Sequence, residues 1–277
     1  MVEAGLIHIP FLLLLPSSLF PDTIATVLIG GLCAFVLAYL LTFAVKTVSY
    51  KLNWLDRPAP RRIHKKPVPR LGGIAMFLAF VIIALLFYAP GANSNPTEIS
   101  IFWLLLAAST LIVGVHVYDD VKGLKPLPKF IAQTIAALIV MGPWIPTFRG
   151  VLLYYFSNPF DHLHLPWFKE PNIYLFMTHA DFSFVAIPAV VFTWFWVVGM
   201  MNTVNLIDGL DGLAAGVVGI TALFITIISV MLGQISIAIL AAIFTGAVFG
   251  FLPHNWNPAK IFMGDSGAMF LGLGLAV

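Results

Sequence analysis

Residues 24–45 read IATVLIGGLCAFVLAYLLTFAV, an apolar run of 22 residues without a charged side chain. A helix needs about 20 mostly apolar residues to cross the hydrocarbon core of a bilayer. This run therefore predicts a membrane-spanning helix, and the fold follows from how often the pattern recurs along the chain.

Seven further stretches share this character, so the sequence predicts an all-α fold: a polytopic membrane helix bundle of about eight spans, with the last one cut short. We read residues 1–20 as a lead-in segment and residues 1–277 as a single integral membrane domain. The predicted spans cover 23–48, 71–90, 100–118, 129–146, 183–203, 213–232, 235–253 and 266 to the end.

Composition excludes an ordinary soluble domain. Hydrophobic residues make up 60% of the chain and charged residues only 9%, whereas soluble domains carry about 25% charged residues. A lipid bilayer is the expected environment, and we expect no nucleic-acid partner. The lone Cys33 cannot form an internal disulfide, and His162, His164 and His179 match no strong metal-ligand spacing.

Basic residues predict the orientation of the bundle. If the N-terminus lies outside, 12 of the 14 Lys and Arg residues fall on the cytoplasmic side, and only Arg149 and Lys169 fall outside. Basic residues favour the cytoplasmic side of membrane proteins. We therefore predict a multi-pass protein of the cell membrane with its N-terminus outside.

Acidic residues gather at the predicted cytoplasmic ends of the spans. Asp119 and Asp120 end the third span, and neighbours on a helix point about 100° apart. One carboxylate is thus placed to hold a cation and the other to take a proton. Solvated acids at a helix end are the alternative, but acids at a helix C-terminus oppose the macrodipole, which favours a divalent metal as partner.

Asn202, Asn205, Asp208 and Asp211 recur every third residue at the end of the fifth span. Adjacent members lie on one face of a helix, so the pattern predicts a polar notch at the membrane surface. Hydrogen bonding between helices is the alternative explanation. It fits asparagines well and carboxylates poorly.

Two further segments indicate contact with phosphates. Asp265 lies in the stretch Phe262-Met-Gly-Asp-Ser-Gly267 at a helix start, where a ligand can approach backbone N–H groups, although simple helix capping is an equal alternative for Asp265. The basic connection from Arg57 to Arg70 is stiffened by prolines and followed by Gly72 and Gly73. This basic connection is suited to binding phosphates. Contact with anionic lipid headgroups is its alternative role.

Four separated stretches together resemble the polyprenyl-phosphate N-acetylhexosamine-1-phosphate transferases. The residues Pro67-Val-Pro before Arg70 resemble the branch that uses UDP-N-acetylglucosamine. Members of the family continue through two or three more spans and a histidine-rich loop, so the resemblance implies that this chain is incomplete at its C-terminal end. The four stretches are Arg70-Leu-Gly-Gly73, Asp119-Asp120 with Lys129, NTVNLIDGLDGL at 202–213 and NPAKIFMGD at 257–265.

The resemblance implies transfer of N-acetylglucosamine-1-phosphate from UDP-N-acetylglucosamine to undecaprenyl phosphate, with release of UMP. It implies Mg²⁺ as cofactor, with Mn²⁺ as a substitute, and Asp265 as the leading metal ligand. Asp119 and Asp120 would share metal contact and activation of the lipid phosphate. The implied substrate-binding residues are Arg70, Lys129, Asn202, Asn205, Asp208, Asp211 and Phe262.

Three other functions stay open at this point. A phospho-N-acetylmuramoyl-pentapeptide transferase would differ only in its donor. A transporter usually shows paired repeats or helices broken at mid-membrane, whereas the charges here gather at one interface. A non-catalytic assembly protein is the third alternative, and association into a homodimer is left open beside a monomer.

Overall fold

The computed structural model describes residues 23–56, 67–88, 96–142, 149–153, 155–157, 172–174 and 187–277. The predicted lead-in segment, the basic connection over 57–66 and the three histidines of the 147–182 segment lie outside the described residues.

Helices make up most of the described chain, and each of the eight overlaps one predicted span. The helical prediction is therefore confirmed, but it omitted two short antiparallel ribbons, β1 with β2 and β3 with β4. The elements are α1 (Ile24–Lys51), β1 (Leu55–Asp56), β2 (Val68–Pro69), α2 (Gly72–Phe87), α3 (Pro96–Lys122), α4 (Pro126–Met141), β3 (Tyr155–Ser157), β4 (Asn172–Tyr174), α5 (Ile187–Ile207), α6 (Leu213–Met231), α7 (Ile235–Asn255) and α8 (Gly264–Ala276).

Five of the described helices, α1, α3, α5, α6 and α7, are long and apolar enough to cross a membrane. Helices α2 and α4 have 16 residues each and α8 has 13. At 1.5 Å per residue, 16 residues extend about 24 Å, which is short of a hydrocarbon core of about 30 Å. Crossing by α2, α4 and α8 stays a prediction, as does the outside position of the N-terminus.

The outward faces of the long helices are apolar. Leu28 on α1 and Phe195 on α5 are each 68% exposed, and Phe224 on α6 is 59% exposed. A water-soluble monomer rarely exposes apolar surface on this scale. Together with the five long apolar helices, these faces show a multi-pass membrane protein.

Local signals explain several helix boundaries. Thr23 accepts a hydrogen bond from the Thr26 N–H at 3.3 Å and so caps α1. Pro126 opens α4, where its missing N–H costs nothing. Gly142 ends α4 with a φ of 67°, a conformation that glycine adopts without strain.

Small residues bring α1 and α7 into backbone contact. A Cβ on Gly246 would overlap the carbonyl of Gly31, and one on Gly250 would overlap the carbonyl of Phe35. Close approach through small residues is the usual way in which membrane helices gain packing contacts. Helix α7 also packs against α6 and α2, so it forms one centre of the bundle.

Helix α8 forms a second centre, in contact with α2, α3 and α5. Its Phe270 ring lies 5.7 Å from the Phe80 ring of α2 and 5.6 Å from the Phe244 ring of α7, measured between centroids. Gly73 of α2 faces Gly267 of α8, and a Cβ on Gly73 would overlap the Gly267 backbone N. The glycine contact places the N-terminus of α8 against the N-terminus of α2.

The contact between Gly73 and Gly267 predicts that Gly73→Ala is destabilising. The added methyl group would meet backbone and not a movable side chain, so we expect a loss of about 1–3 kcal/mol of unfolding free energy. Gly216→Ala is the matched control, because its Cβ would meet no atom within 4 Å. Thermal unfolding of both variants in detergent would measure the difference, and equal stability would contradict the packing described.

Candidate active site

Asp120 caps helix α8 from a neighbouring helix. Its side chain is fully buried, and its Oδ1 accepts a hydrogen bond from the Asp265 N–H at 3.0 Å. Its Oδ2 accepts from the Ser266 N–H at 3.1 Å and from the Ser266 hydroxyl at 2.8 Å. A carboxylate at a helix N-terminus satisfies free N–H groups and complements the macrodipole. The capping role considered for Asp265 thus belongs to Asp120.

Lys129 bridges two of the predicted catalytic acids. Its ammonium group forms an ion pair with Asp119 Oδ2 and lies 2.8 Å from Asp265 Oδ2. The other oxygen of Asp119, Oδ1, accepts a hydrogen bond from the Leu124 N–H at 2.6 Å. Asp119 therefore shapes the turn from α3 to α4 and holds the lysine at the start of α4.

Asp265 is the residue on which the other predicted side chains converge. Its Oδ1 accepts a hydrogen bond from Asn205 Nδ2 at 3.3 Å. The Arg70 guanidinium lies 3.6 Å from the same oxygen and 3.6 Å from Asp120 Oδ1. Five segments of the chain thus meet at the N-terminus of α8: the β2–α2 link, α3, α4, α5 and α8 itself.

Asp208 stands apart, because its carboxylate has no hydrogen-bond or ion-pair partner among the described residues, although its backbone N–H donates to the Val204 carbonyl at 3.1 Å. It follows the end of α5 and is half-buried. Burial, reinforced by the negative charge of Asp265, raises the pKa of Asp208 to about 7. A carboxylate in this state gains from any cation or hydrogen-bond donor that a ligand brings.

Asp211 is engaged in holding the loop before α8. Its Oδ2 accepts hydrogen bonds from the Ala259 N–H at 2.9 Å and from Asn257 Nδ2 at 3.2 Å. Asn255 forms two further hydrogen bonds between these loops. Its Oδ1 accepts from the Gly212 N–H at 3.0 Å, and its Nδ2 donates to the Ile261 carbonyl at 3.0 Å. The loop after α5 and the loop after α7 therefore form one connected wall.

Gly72 and Gly73 serve packing, and their N–H groups are not free for a phosphate. The Gly72 N–H donates to the Phe262 carbonyl at 2.9 Å, and the Gly73 N–H donates to the Met263 carbonyl at 2.9 Å. The Phe262 N–H in turn donates to the Pro69 carbonyl at 2.8 Å. Phe262 is thus tied through its backbone to the segment that carries Arg70.

Asn202 lies with the other site residues in sequence and is exposed on α5, but its side chain bonds to neighbouring groups of α4 and α5. Its Nδ2 donates to Gln133 Oε1 at 2.8 Å and to the Val198 carbonyl at 2.8 Å. The alternative explanation of the asparagine pattern, hydrogen bonding between helices, therefore applies to Asn202. Asn205 points to Asp265 instead.

The three predicted metal ligands do not form a preformed three-residue metal site. Within the described part of the chain, no group of three or more His, Cys, Asp or Glu side chains could hold a metal ion. Both oxygens of Asp120 are taken up by the α8 cap. Asp119 and Asp265 each direct one oxygen toward a common cation, the Lys129 ammonium, and this pair fits Mg²⁺ chemistry in which substrate phosphates and waters complete the shell.

Comparison with known proteins agrees with this arrangement. The family model described as glycosyl transferase family 4 matches residues 102–277. The chain belongs to this family. The match includes every predicted site residue except Arg70, so the resemblance read from the four motifs is confirmed for the family.

Three relatives of this chain illustrate the names found among similar proteins. The chain is 29% identical to a probable undecaprenyl-phosphate N-acetylglucosaminyl 1-phosphate transferase of Bacillus subtilis (91% of this chain, 62% of the relative). It is 34% identical to a decaprenyl-phosphate N-acetylglucosaminephosphotransferase of Mycobacterium leprae (89% and 58%). It is 32% identical to a phospho-N-acetylmuramoyl-pentapeptide-transferase of Staphylococcus aureus (88% and 72%). The chain spans about three fifths of the length of the first two relatives.

Sequence reasoning missed two residues that organise this family 4 site. Ser266 shares the Asp120 carboxylate through its backbone and hydroxyl groups. Gln133 binds Asn202 and is buried, with 3% exposure. A polar side chain one turn after Lys129 in an otherwise apolar helix was the available signal for Gln133.

The raised pKa of Asp208 predicts a pH-dependent difference between the wild type and Asp208→Asn. The folded protein binds a proton on Asp208 more tightly than the unfolded chain does. Ionisation therefore costs the wild type stability as the pH rises from the ordinary pKa of 3.8 towards about 7. We expect the melting temperature of Asp208→Asn relative to wild type to rise across this window and to level off above it, in buffer with chelator. A melting-temperature difference between the two proteins that does not vary with pH would contradict the partly buried environment of Asp208.

Proposed function

We propose that this family 4 transferase moves N-acetylglucosamine-1-phosphate from UDP-N-acetylglucosamine to undecaprenyl phosphate and releases UMP. The observation that carries the proposal is the convergence of Lys129, Arg70 and Asn205 on Asp265 at one end of a membrane helix bundle. Phosphoryl transfer to a lipid needs positive charge and fixed carboxylates at the edge of the bilayer. The site combines both.

The proposed reaction is a substitution at phosphorus. An oxygen of the lipid phosphate forms a bond to the β-phosphorus of the donor, and the bond from that phosphorus to the oxygen bridging the two phosphates breaks. The electron pair leaves with UMP. A phosphate monoester has its second pKa near ~6, so the attacking oxygen is largely ionised at neutral pH without help from a strong base.

Asp119 and Asp265 are the residues that would hold Mg²⁺, or Mn²⁺ in its place. When bound, the ion would neutralise charge on the diphosphate. We leave Asp120 out of the metal set because its side chain is fully buried and caps α8, whereas the Asp265 side chain is 23% exposed. The role of Asp120 in this proposal is to fix the backbone position, and thus the side chain, of Asp265.

Lys129 and Arg70 supply the phosphate-binding charges. Both side chains are about one quarter to one third exposed, so they can reach a ligand in solution. The pairing keeps the cations in place before substrate arrives, which lowers the reorganisation needed during transfer. The cluster Asp119, Asp120, Asp265, Lys129 and Arg70 has one more acid than base.

The nucleotide half of the donor is assigned to the wall beside Asp265. Asp208 is half-buried and unpaired in the described structure, which makes it the best acceptor for a donor group of the ligand. Asp211 and Phe262 belong to the two loops that form this wall. We propose that Phe262 stacks on uracil and that Asn205 contacts the ribose–diphosphate region.

The muramoyl-pentapeptide donor is the main alternative. A relative with that activity in its name is 32% identical over 88% of this chain, which is close to the figures for the N-acetylglucosamine enzymes. The Pro67-Val-Pro segment before Arg70 favours N-acetylglucosamine. A transporter is less well supported, since the charged cluster lies at helix ends and not at mid-membrane.

Release of UMP tests the proposed function. We expect the protein at its natural length, purified in detergent with Mg²⁺, undecaprenyl phosphate and UDP-N-acetylglucosamine, to release UMP only when the lipid is present. Asp265→Ala removes the residue that Lys129, Arg70 and Asn205 contact and should reduce release by about 10²–10³-fold. Melting temperatures would show that the variant is folded.

The alternatives give different results in the same assay. Release only with UDP-muramyl-pentapeptide would move the protein to the peptidoglycan branch. A folded protein that releases UMP from neither donor would refute the transferase assignment and support a non-catalytic role.

We also propose that the site faces the cytoplasm of the cell membrane. Cys33 is the only cysteine, so Cys33→Ala provides a background for single-cysteine labelling. In intact cells, an impermeant thiol reagent should modify Gln234→Cys between α6 and α7, and should modify Lys122→Cys at the end of α3 only after permeabilisation. Both positions are exposed, and the reverse pattern would overturn the orientation.

A further inference from the structure

Gln133 joins three helices within the bundle. It lies on α4, and its Oε1 accepts a hydrogen bond from Asn202 Nδ2 on α5 at 2.8 Å. Its Nε2 donates to the Met269 sulfur on α8 at 3.4 Å. With 3% exposure, the amide of Gln133 has both its ends engaged and no contact with bulk solvent.

These three residues lie one turn deeper in the bundle than the site. Gln133 follows Lys129 by four residues on α4, and Met269 follows Asp265 by four residues on α8. Asn202 precedes Asn205 by three residues on α5. Residues three or four apart lie on the same face of a helix. Gln133, Met269 and Asn202 therefore lie one turn beneath Lys129, Asp265 and Asn205, the three residues that contact one another at the site.

We propose that Gln133 is a positioning residue that sets the registers of α4, α5 and α8 and thereby holds Lys129, Asn205 and Asp265 together. Its effect on rate rests on the proposed function. Its effect on the Lys129 ion pairs does not rest on the proposed function, because those ion pairs exist without substrate.

A single amide can act in this way because its two ends are chemically different. The oxygen only accepts and the NH₂ group only donates, so the contact specifies which helix lies on which side of Gln133. Gln133 is buried, whereas Asn202 is exposed. A slide or rotation of one helix would therefore leave the buried Gln133 amide unpaired, and an unpaired buried polar group is costly. An apolar side chain of similar size would fill the space but would tolerate such movements.

Exchange of the two amides tests the contact by rate. Gln133→Asn shortens one side chain by a methylene and Asn202→Gln lengthens the other. We expect each single variant to lower the kcat for UMP release about tenfold, with KM within about twofold, because small displacements of reacting groups are costly. The double exchange should recover most of the lost kcat.

Thr134→Val is the matched control. Thr134 also joins α4 to α5, because its hydroxyl accepts a hydrogen bond from Trp194 Nε1 at 3.3 Å.

A second measurement does not need enzymatic activity. The rate at which an acylating reagent modifies Lys129, read by mass spectrometry against exposed Lys122 as internal reference, reports how firmly the ammonium is held by Asp119 and Asp265. Gln133→Met, which keeps volume and removes the amide, should raise that relative rate several-fold. Thr134→Val should leave it unchanged.

The outcomes separate the two proposals. If the wild type releases no UMP while Gln133→Met still exposes Lys129, the proposed function fails and the positioning role stands. If the losses of kcat in the single variants add in the double exchange, or if Lys129 labelling is the same in Gln133→Met and Thr134→Val, the positioning role is overturned. Where an exchange variant does not fold, the labelling of Gln133→Met decides alone.

Discussion

The buried carboxylate of Asp120 at the N-terminus of α8 is the constraint on which the rest of the site depends. The first N–H groups of a helix have no partner within that helix, and inside a membrane protein water cannot reliably supply one. Asp120 meets this need from α3 with both oxygens. Gly264 leaves room for this carboxylate, since a Cβ at that position would overlap Asp120 Oδ2, and Gly73 and Gly267 let α2 pack closely on the same end of α8.

Asp265 follows from this arrangement, because the residue whose N–H is capped by Asp120 presents its own carboxylate to α4 and α5. Lys129 and Arg70 then have two functions in one place. They neutralise acids that would otherwise repel one another, and they lie where a diphosphate would need positive charge. Under the proposed function, the same ion pairs that stabilise the end of the bundle would also organise it for phosphoryl transfer.

Apolar packing contacts join the helices along their length, whereas the ion pairs of the site lie at one end of the bundle. α1 and α7 approach each other through small residues, and aromatic rings pack around Phe270 of α8. The ion pairs of Asp119, Asp120 and Asp265 lie at one end of the bundle, and the Gln133 contact lies one turn beneath them. A membrane interior penalises charged groups, which fits their position at the helix ends.

The sequence by itself determined the helices, the membrane setting, the family and the end of the bundle at which the acids gather, because hydropathy, helical period and motif spacing are local properties of the chain. Tertiary structure alone decided which partner each side chain meets. Asp119 and Asp120 are adjacent, yet one faces Lys129 on α4 and the other caps α8. Asn202 and Asn205 share a motif, yet one binds Gln133 and the other Asp265. Such choices depend on where distant helices pack, and the distance between two helices is not encoded in the spacing of residues along either one.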